Sequence, residues 1–254
     1  QFQGKAQQHR VNKPMISHIH DIALSLNPKL ITTVISDDLK SFFSEEIKKK
    51  IKFVVQQNRN GTADAVKTAL KKNNSYKIKN TLILYGDTPL IKKDTIKSAI
   101  NYFNKNSLDL CVLAMKPDSN EHAYGRLFLQ NKSLVKIIEK TEITKAQLEN
   151  DLNLCNSGMM IFNTKKLLKY IDTIDNLNKK KEFYLTDLVD IFYKNSLKSG
   201  YYVCDYDECR GVNNLRELSN VTKIFQMRKR NFFLNKGVFM EDPSSIFFSA
   251  DTKI

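Results

Sequence analysis

Two loops in this 254-residue chain carry residues whose types and spacing suit phosphate and metal chemistry. The first, LILYGDTPL (82–90), runs from an apolar strand into a Gly-Asp turn. Asp87 therefore falls at the carboxyl end of a strand, where a carboxylate is well placed to hold Mg²⁺ against phosphates. The alternative is that Asp87 caps the turn before Pro89.

The second loop, QQNRNGTADA (56–65), places an amide side chain ahead of a Gly-Thr pair that opens a helix. The backbone N–H groups and the dipole of such a helix start favour a phosphate or a nucleotide. A threonine N-cap after a glycine turn would give the same letters, so both interpretations stay open. Five further segments are weak one by one and informative through their order and spacing: YGR (124–126), IEK (138–140), NSG (156–158), EFYLTD (182–187) and GVNN (211–214).

Alternating strands and helices must position these loops. Apolar runs predict strands at 30–35, 51–55, 81–85, 108–115, 126–130, 134–138 and 158–162. Helical spacing predicts helices from Asn12-Lys13-Pro14, with Asn12 as N-cap, over 39–47, from Thr62, and at 94–103, 164–171, 185–197 and 214–235. The strand at 81–85 is typical of a strand buried on both faces of a parallel sheet. The pattern indicates a doubly wound, mostly parallel mixed α/β sheet, whose ligands bind beyond the strand carboxyl ends.

Composition narrows the class of protein. The 41% hydrophobic content indicates a globular chain, and no apolar run approaches the ~20 residues that span a bilayer. The start of the chain lacks a signal-peptide pattern and the four cysteines indicate reduced thiols, so we expect a cytoplasmic protein that does not bind membranes. The net charge of +14 is spread evenly and only seven cations are Arg, which argues against a nucleic-acid reader while still attracting anionic substrates.

Taken together, the segments resemble the uridyltransferase domain of bacterial bifunctional N-acetylglucosamine-1-phosphate uridyltransferase/glucosamine-1-phosphate acetyltransferases. These enzymes belong to the sugar-1-phosphate nucleotidyltransferases, which have a Rossmann-like nucleotidyltransferase fold. The resemblance begins at NKPMISHI (12–19), continues through the seven segments above, and reaches GVFMEDPSS (237–245). LYGDTPLI followed at the right distances by EFYLTD and GVNN is a specific combination.

The resemblance implies a Mg²⁺-dependent reaction of UTP with N-acetylglucosamine 1-phosphate, which supplies cell-wall and lipopolysaccharide synthesis. It implies that Asp87 and Asn213 hold the catalytic Mg²⁺. The nucleotide would be bound by Gln56, which contacts the uracil, and by Gly61 and Thr62. The sugar phosphate would be bound by Tyr85, Gly86, Gly125, Glu139, Asn156, Tyr184 and Thr186.

This chain departs from the family pattern near its start. The family opens with a strand and a Gly-rich loop that holds the triphosphate, followed by a catalytic lysine, and the strand and loop are missing from this sequence. Counting back from the KPM segment places Lys5 at the position of that lysine, although its surroundings do not match. Many family members also have His where this sequence has Asp64.

A second departure concerns the domains. We expect a nucleotidyltransferase domain, truncated at its N-terminus, over 1–226, and the end of a helical arm and the start of a missing β-helix domain over 227–254. No acetyltransferase activity is expected, and the oligomeric state stays open because the β-helix forms the family's trimer. The alternative to an active enzyme is a non-catalytic remnant that binds a sugar phosphate or a nucleotide.

Overall fold

The computed structural model describes residues 9–10, 13–73, 75–118, 124–131, 133–143 and 154–254. Its strands are β1 (His9–Arg10), β2 (Lys13–Pro14), β3 (Thr32–Ile35), β4 (Lys52–Val55), β5 (Asn80–Ile83), β6 (Leu110–Met115), β7 (Arg126–Gln130), β8 (Ser133–Ile138), β9 (Cys155–Asn163) and β10 (Ser199–Val203). Its α-helices are α1 (Met15–Ser25), α2 (Glu45–Lys50), α3 (Thr62–Lys72), α4 (Lys93–Lys105), α5 (Thr164–Tyr170), α6 (Asp187–Lys194) and α7 (Leu215–Asn235). Short 3₁₀ helices span Asp37–Phe42, Ser75–Lys77, Ile171–Thr173, Tyr206–Glu208 and Pro243–Ser245.

The described strands form two sheets and a short ribbon. β1 and β2 make the antiparallel ribbon, and β3 pairs in parallel with β4. The other six strands form one mixed sheet in the order β10-β6-β9-β7-β8, with β5 also paired to β9. β10 runs parallel to β6, whereas β9 runs antiparallel to β5, β6 and β7. The reversed strand β9 therefore lies between strands that share the opposite direction.

Alternate residues of β6 enter two separate apolar layers, as the two-residue period of a strand requires. The first layer contains Leu110, Val112 and Ala114, and the second contains Cys111, Leu113 and Met115. Helices α3, α5 and α6 contribute to the first layer, whereas α1 and α4 contribute to the second. Helices cover both faces of the sheet, so the predicted doubly wound α/β fold with a mixed sheet is confirmed.

Helices α1 and α3 connect the small parallel sheet to the large one. Ile16 of α1 packs with Ile35 of β3, and later residues of α1 pack with β5. On the other face, Asn73 at the end of α3 donates to the Thr32 hydroxyl of β3 at 2.6 Å, and the apolar side of α3 shares a core with β5. The two sheets are thus joined through side chains of helices on both faces.

Four details differ from the sequence-based prediction. Helix α1 begins at Met15 with Pro14 in the cap position, and Asn12 lies outside the described residues. The single helix predicted over 39–47 is a 3₁₀ turn followed by α2. Strand β5 is half-buried and ends at Ile83, whereas the fully buried strand is β6. Strand β10 escapes the prediction, because its half-buried sequence SGYYV has neither a long apolar run nor a clear alternation.

The C-terminal residues continue from α7 without a break. This helix spans the predicted domain boundary at 226, which stays a prediction, and Phe233 near its end packs with Met240 and Phe248. Among the described residues, no helix has both the length and the apolar character needed to cross a membrane.

Candidate active site

A closed ring of contacts joins most of the residues that the motifs singled out. The Thr62 hydroxyl binds the Tyr85 hydroxyl and also accepts from the Leu185 N–H at 3.0 Å. The carbonyl of Gly125 accepts from the Asn156 N–H at 2.8 Å. Further hydrogen bonds, together with the close approach of Tyr85 to Gly158 and of Glu139 to Gly125, complete the circuit. We call it the contact ring, and its members are Thr62, Tyr85, Gly158, Asn156, Gly125, Glu139, Thr186 and Leu185.

A bulge in β9 gives the Tyr85 ring its place. The register between β6 and β9 shifts between Val112 and Ala114, opposite the NSG segment. Gly158 has φ +89°, and a Cβ there would lie 3.1 Å from the Tyr85 ring. The Gly158 N–H donates to the Asn156 side-chain oxygen at 2.9 Å. Glycine is therefore needed both for the backbone conformation and for the close approach of the tyrosine.

Glu139 is fixed at the opposite side of the contact ring. One carboxylate oxygen accepts from the Thr186 hydroxyl at 3.0 Å, and the other would lie 3.3 Å from a Cβ at Gly125. Burial raises the pKa of Glu139, and the hydrogen bond from Thr186 opposes that rise. A positioned carboxylate of this kind can accept hydrogen bonds from the hydroxyl groups of a sugar.

A backbone hydrogen bond brings the two predicted metal ligands into neighbouring segments. The Asp87 carbonyl accepts from the Val212 N–H at 3.0 Å, so the residue before Asn213 lies against Asp87. The Asn213 N–H donates to the Glu217 carboxylate, and Asn214 caps α7 by accepting from the Glu217 N–H at 2.9 Å. The loop is thereby held in one conformation at the start of α7.

The nucleotide-binding candidates lie at the junction of β4 and α3. The Gln56 N–H extends the pairing with β3 by donating to the Ile35 carbonyl at 2.9 Å. The Gln56 side-chain amide donates to the Gly61 carbonyl at 3.2 Å and to Asp64 at 2.7 Å. Gly61 has φ +113°, and a Cβ there would lie 2.5 Å from the Phe183 carbonyl oxygen. Glycine is required here because the EFYLTD segment packs directly on the loop.

The structure thus brings together nearly every predicted residue that it describes. The contact ring contains Thr62, Tyr85, Gly125, Glu139, Asn156 and Thr186, with Gln56 and Gly61 adjoining it and Asp87 and Asn213 on neighbouring segments. A Cβ at Gly86 would lie 3.6 Å from the Ile16 side chain, an ordinary van der Waals distance. Tyr184 has a buried hydroxyl without a hydrogen-bond partner among the described residues. Lys5 lies outside the described residues. The ligand and catalytic roles of all these residues remain predictions.

No role is predicted from the sequence for three residues that hold the site. The Tyr124 hydroxyl accepts from the Gly211 N–H at 3.3 Å, which links the YGR and GVNN segments. The buried carboxylate of Glu208 accepts from the Lys92 N–H at 3.1 Å and pairs with the Lys92 ammonium at 2.7 Å. Asp64 binds Gln56, as above. Tyr124 directly precedes Gly125, a predicted site residue, and this position could have identified it. Glu208 and Asp64 could not be identified in this way, because their roles depend on tertiary contacts.

The described residues contain no cluster of three His, Cys, Asp or Glu side chains suited to a metal ion. A site made of Asp87 and Asn213 supplies one carboxylate and one amide oxygen. That donor set fits Mg²⁺, which commonly binds one or two carboxylates and completes its shell with water and substrate phosphates.

Comparison with known proteins adds to this geometry. The nucleotidyl transferase family model matches residues 3–206. The chain is 35% identical over 246 residues to the bifunctional protein GlmU of Wolbachia sp. subsp. Brugia malayi (strain TRS), covering 96% of this chain and 58% of that protein. It is 36% identical over 249 residues to the bifunctional protein GlmU of Thermodesulfovibrio yellowstonii, covering 97% of this chain and 54% of that protein. The chain therefore spans a little more than half the length of these relatives.

Solved structures share the fold at low sequence identity. Apo UDP-glucose pyrophosphorylase superposes with a TM-score of 0.69 at 16% identity, covering 89% of this chain and 91% of that one. CMP:2-keto-3-deoxy-manno-octonic acid synthetase complexed with CTP gives a TM-score of 0.65 at 15% identity, covering 89% and 92%. These likenesses confirm the predicted fold. With the family model matched over most of its length, the chain belongs to the nucleotidyl transferase family.

Proposed function

We propose that this chain transfers the uridylyl group of UTP to N-acetylglucosamine 1-phosphate, giving UDP-N-acetylglucosamine and pyrophosphate. The observation that carries the proposal is the contact ring, which gathers residues from five separated segments around Tyr85. Membership of the nucleotidyl transferase family and similarity to proteins named GlmU support the reaction class. The choice of UTP and of this amino sugar is the proposed part.

The reaction needs no covalent intermediate on the protein. An oxygen of the sugar phosphate attacks the α-phosphorus of UTP and forms the new P–O bond. The bond between the α-phosphorus and the bridging oxygen breaks in line, and pyrophosphate leaves with the electron pair. Catalysis of such a transfer consists of positioning the reactants and stabilising the charge on the phosphoryl oxygens.

The residues of this chain divide the positioning between two sides. Gln56, Gly61 and Thr62 would receive the nucleotide at the start of α3, where the helix dipole favours an anion. Glu139, held by Thr186, would accept hydrogen bonds from sugar hydroxyls. Thr62 binds Tyr85 and Leu185, so hydrogen bonds join the proposed nucleotide-binding residues to the segments that would bind the sugar phosphate.

Asp87 and Asn213 would hold a Mg²⁺ ion between the two substrates. When bound, this ion would offset the repulsion between the phosphate groups. The backbone hydrogen bond from Val212 to Asp87 keeps the two ligand segments side by side without using either ligand side chain. The net charge of +14 further favours the approach of two anionic substrates.

The test is an assay of pyrophosphate release with UTP, N-acetylglucosamine 1-phosphate and varied Mg²⁺. We expect Asp87→Ala to lower turnover by about 10²–10³-fold or more, as is typical for loss of one charge-stabilising group. The matched control is Asp94→Ala, which removes an aspartate from the first turn of α4. Circular dichroism and thermal unfolding would show that Asp87→Ala keeps its fold.

Three results would contradict the proposal. Full activity in Asp87→Ala would show that this residue has no part in the mechanism. Turnover of the wild-type chain that is independent of Mg²⁺ would show that the reaction does not need the metal. Calorimetric binding of the sugar phosphate without UTP binding and without pyrophosphate release would instead identify a non-catalytic sugar-phosphate-binding protein.

A further inference from the structure

The side-chain amide of Gln56 has only one orientation that satisfies its contacts. Its Nε2 donates to Asp64 Oδ2 at 2.7 Å and to the Gly61 carbonyl at 3.2 Å. A carbonyl is always an acceptor, and an ionised carboxylate is an acceptor only. The NH₂ group must therefore face these two oxygens, and the alternative assignment of the amide would place oxygen against oxygen.

Two elements hold this arrangement from opposite sides. The backbone of Gln56 is fixed by its N–H, which donates to the Ile35 carbonyl of β3 at 2.9 Å. Asp64 lies in the first turn of α3 and is half-buried, so its carboxylate is carried by a helix and not by a mobile loop. The bond between the two side chains therefore joins the end of β4 to the start of α3.

Because the NH₂ group is occupied by these two contacts, the amide oxygen is the part of the side chain that can accept a hydrogen bond from a ligand. No described residue donates to Gln56 Oε1, and the N–H of Gly61 in the same loop has no acceptor within the described part of the chain. The loop therefore offers one acceptor and one donor. Uracil presents the complementary pair, an N3–H donor beside a carbonyl acceptor. Cytosine presents the reverse pair, an N3 acceptor beside an amino donor.

We propose that Asp64 is a positioning residue for base selection: it fixes the Gln56 amide so that the loop accepts pyrimidine nucleotides with an N3–H and rejects cytosine. The inference rests on the proposed function, because it takes Gln56 as the residue that contacts the base. An unpaired or opposed polar group at such a site weakens binding strongly. The preference for one base thus depends on a residue that need not touch it.

The experiment measures the dissociation constants of UTP and CTP for the full chain by calorimetry, each in the same protein preparation. The variant is Asp64→Asn, which keeps the size of the side chain and can either accept or donate, so only the Gly61 carbonyl still selects the orientation of the Gln56 amide. The matched control is Asp94→Asn, an aspartate in the first turn of another helix. The ratio of the two constants is independent of the fraction of active protein, so partial misfolding does not affect it.

We expect the wild-type chain and Asp94→Asn to prefer UTP over CTP by at least about tenfold, equivalent to about 1.4 kcal/mol. In Asp64→Asn the preference should fall by at least about threefold, because one of the two contacts that fix the amide no longer selects its orientation. An unchanged preference in Asp64→Asn would overturn the inference and leave the proposed function standing. If the wild-type chain binds neither nucleotide, the proposed function fails; if it binds CTP as well as UTP, only the inference fails.

Discussion

Asp187 shows how the packing around one residue of the EFYLTD segment changes its chemistry. Burial raises the pKa of its carboxyl group to about 6, and the negative charges of Asp175 and Glu139 add to the rise. The group begins α6, directly after Thr186, which holds Glu139. The charged form of Asp187 is therefore less favourable in the folded chain than in the unfolded chain.

This shift predicts a pH dependence of stability. The folded pKa lies above the ordinary aspartate value of 3.8, so the folded chain binds more protons than the unfolded chain between about pH 4 and 6, and stability falls as the pH rises through this window. Asp187→Asn imitates the protonated form. Its stability relative to the wild type should be greater at pH 7 than at pH 4, by roughly 1 kcal/mol after allowance for solvent screening. Urea unfolding at both pH values measures this difference; equal values at the two pH values would contradict it.

Residue-scale prediction from the sequence can nominate a residue where residue type and position in a motif carry the signal. Gln56, Asp87 and Glu139 stand out because their motifs place polar groups in loops or at strand ends. Glu208 does not, because its partner Lys92 is distant in the sequence, and Asp64 does not, because its importance comes from the orientation of its side chain toward Gln56. A sequence shows which groups are available, whereas packing decides which of them meet.

At the scale of elements, the close approach between the EFYLTD segment and the start of α3 organises the site. The Phe183 N–H donates to the Asn60 carbonyl at 2.7 Å, and the Phe183 carbonyl accepts from the Ala63 N–H at 2.9 Å. Gly61 lies between these two bonds, in a backbone conformation with φ +113°. The helix and the segment can approach this closely because position 61 has no side chain.

Gly61→Ala should therefore separate the two elements. The new Cβ would lie 2.5 Å from the Phe183 carbonyl oxygen, a backbone atom that cannot move aside alone. We expect a loss of roughly 2–4 kcal/mol in the free energy of unfolding, which combines the conformational strain with the clash. The measurement is chemical denaturation of the variant and the wild type.

Gly237→Ala is the matched control. Gly237 also has a positive φ, +86°, but a Cβ there would meet nothing within 4 Å. Its cost should be the strain alone, roughly 1–2 kcal/mol. Equal losses in the two variants would show that the contact with Phe183 adds nothing to stability.

The elements themselves are predictable to different degrees. Strand β6 and helix α7 have strong apolar patterns, and their predicted and observed bounds lie close together. Strand β10 escapes prediction because it gains its stability from parallel pairing with β6, a long-range contact that its own sequence does not encode. The sequence predicts burial on both faces for the strand at 81–85; its apolar residues are half-buried because β5 pairs with β9 and has no second partner among the described strands.

At the scale of the whole molecule, the division into two sheets should govern how the fold opens. Strands β3 and β4 are hydrogen-bonded to each other and contact the large sheet through α1 and α3. Strand β6 is bonded on both sides, to β9 and β10, and all its residues are buried. The small sheet has fewer backbone bonds to break before its amides are exposed.

Native-state hydrogen exchange should therefore separate the two sheets. Amides of β3 and β4 should exchange through a partial opening, at a lower free energy than amides of β6, which should exchange only on global unfolding. The difference is expected to reach a few kcal/mol, since local openings span the range up to the global value. Exchange of both sheets at the same free energy would show that the helices make the molecule a single cooperative unit.

The bond between the Val212 N–H and the Asp87 carbonyl has a consequence for how this site can change. It is made entirely by main-chain atoms, so a new side chain at position 87 or 213 leaves it available. Main-chain atoms therefore hold the two loops together, whereas the side chains at positions 87 and 213 are available for metal binding. Substitutions at these two positions can alter or abolish metal binding while the loops keep their relative position. A family with such a main-chain bond can change its chemistry without changing its fold.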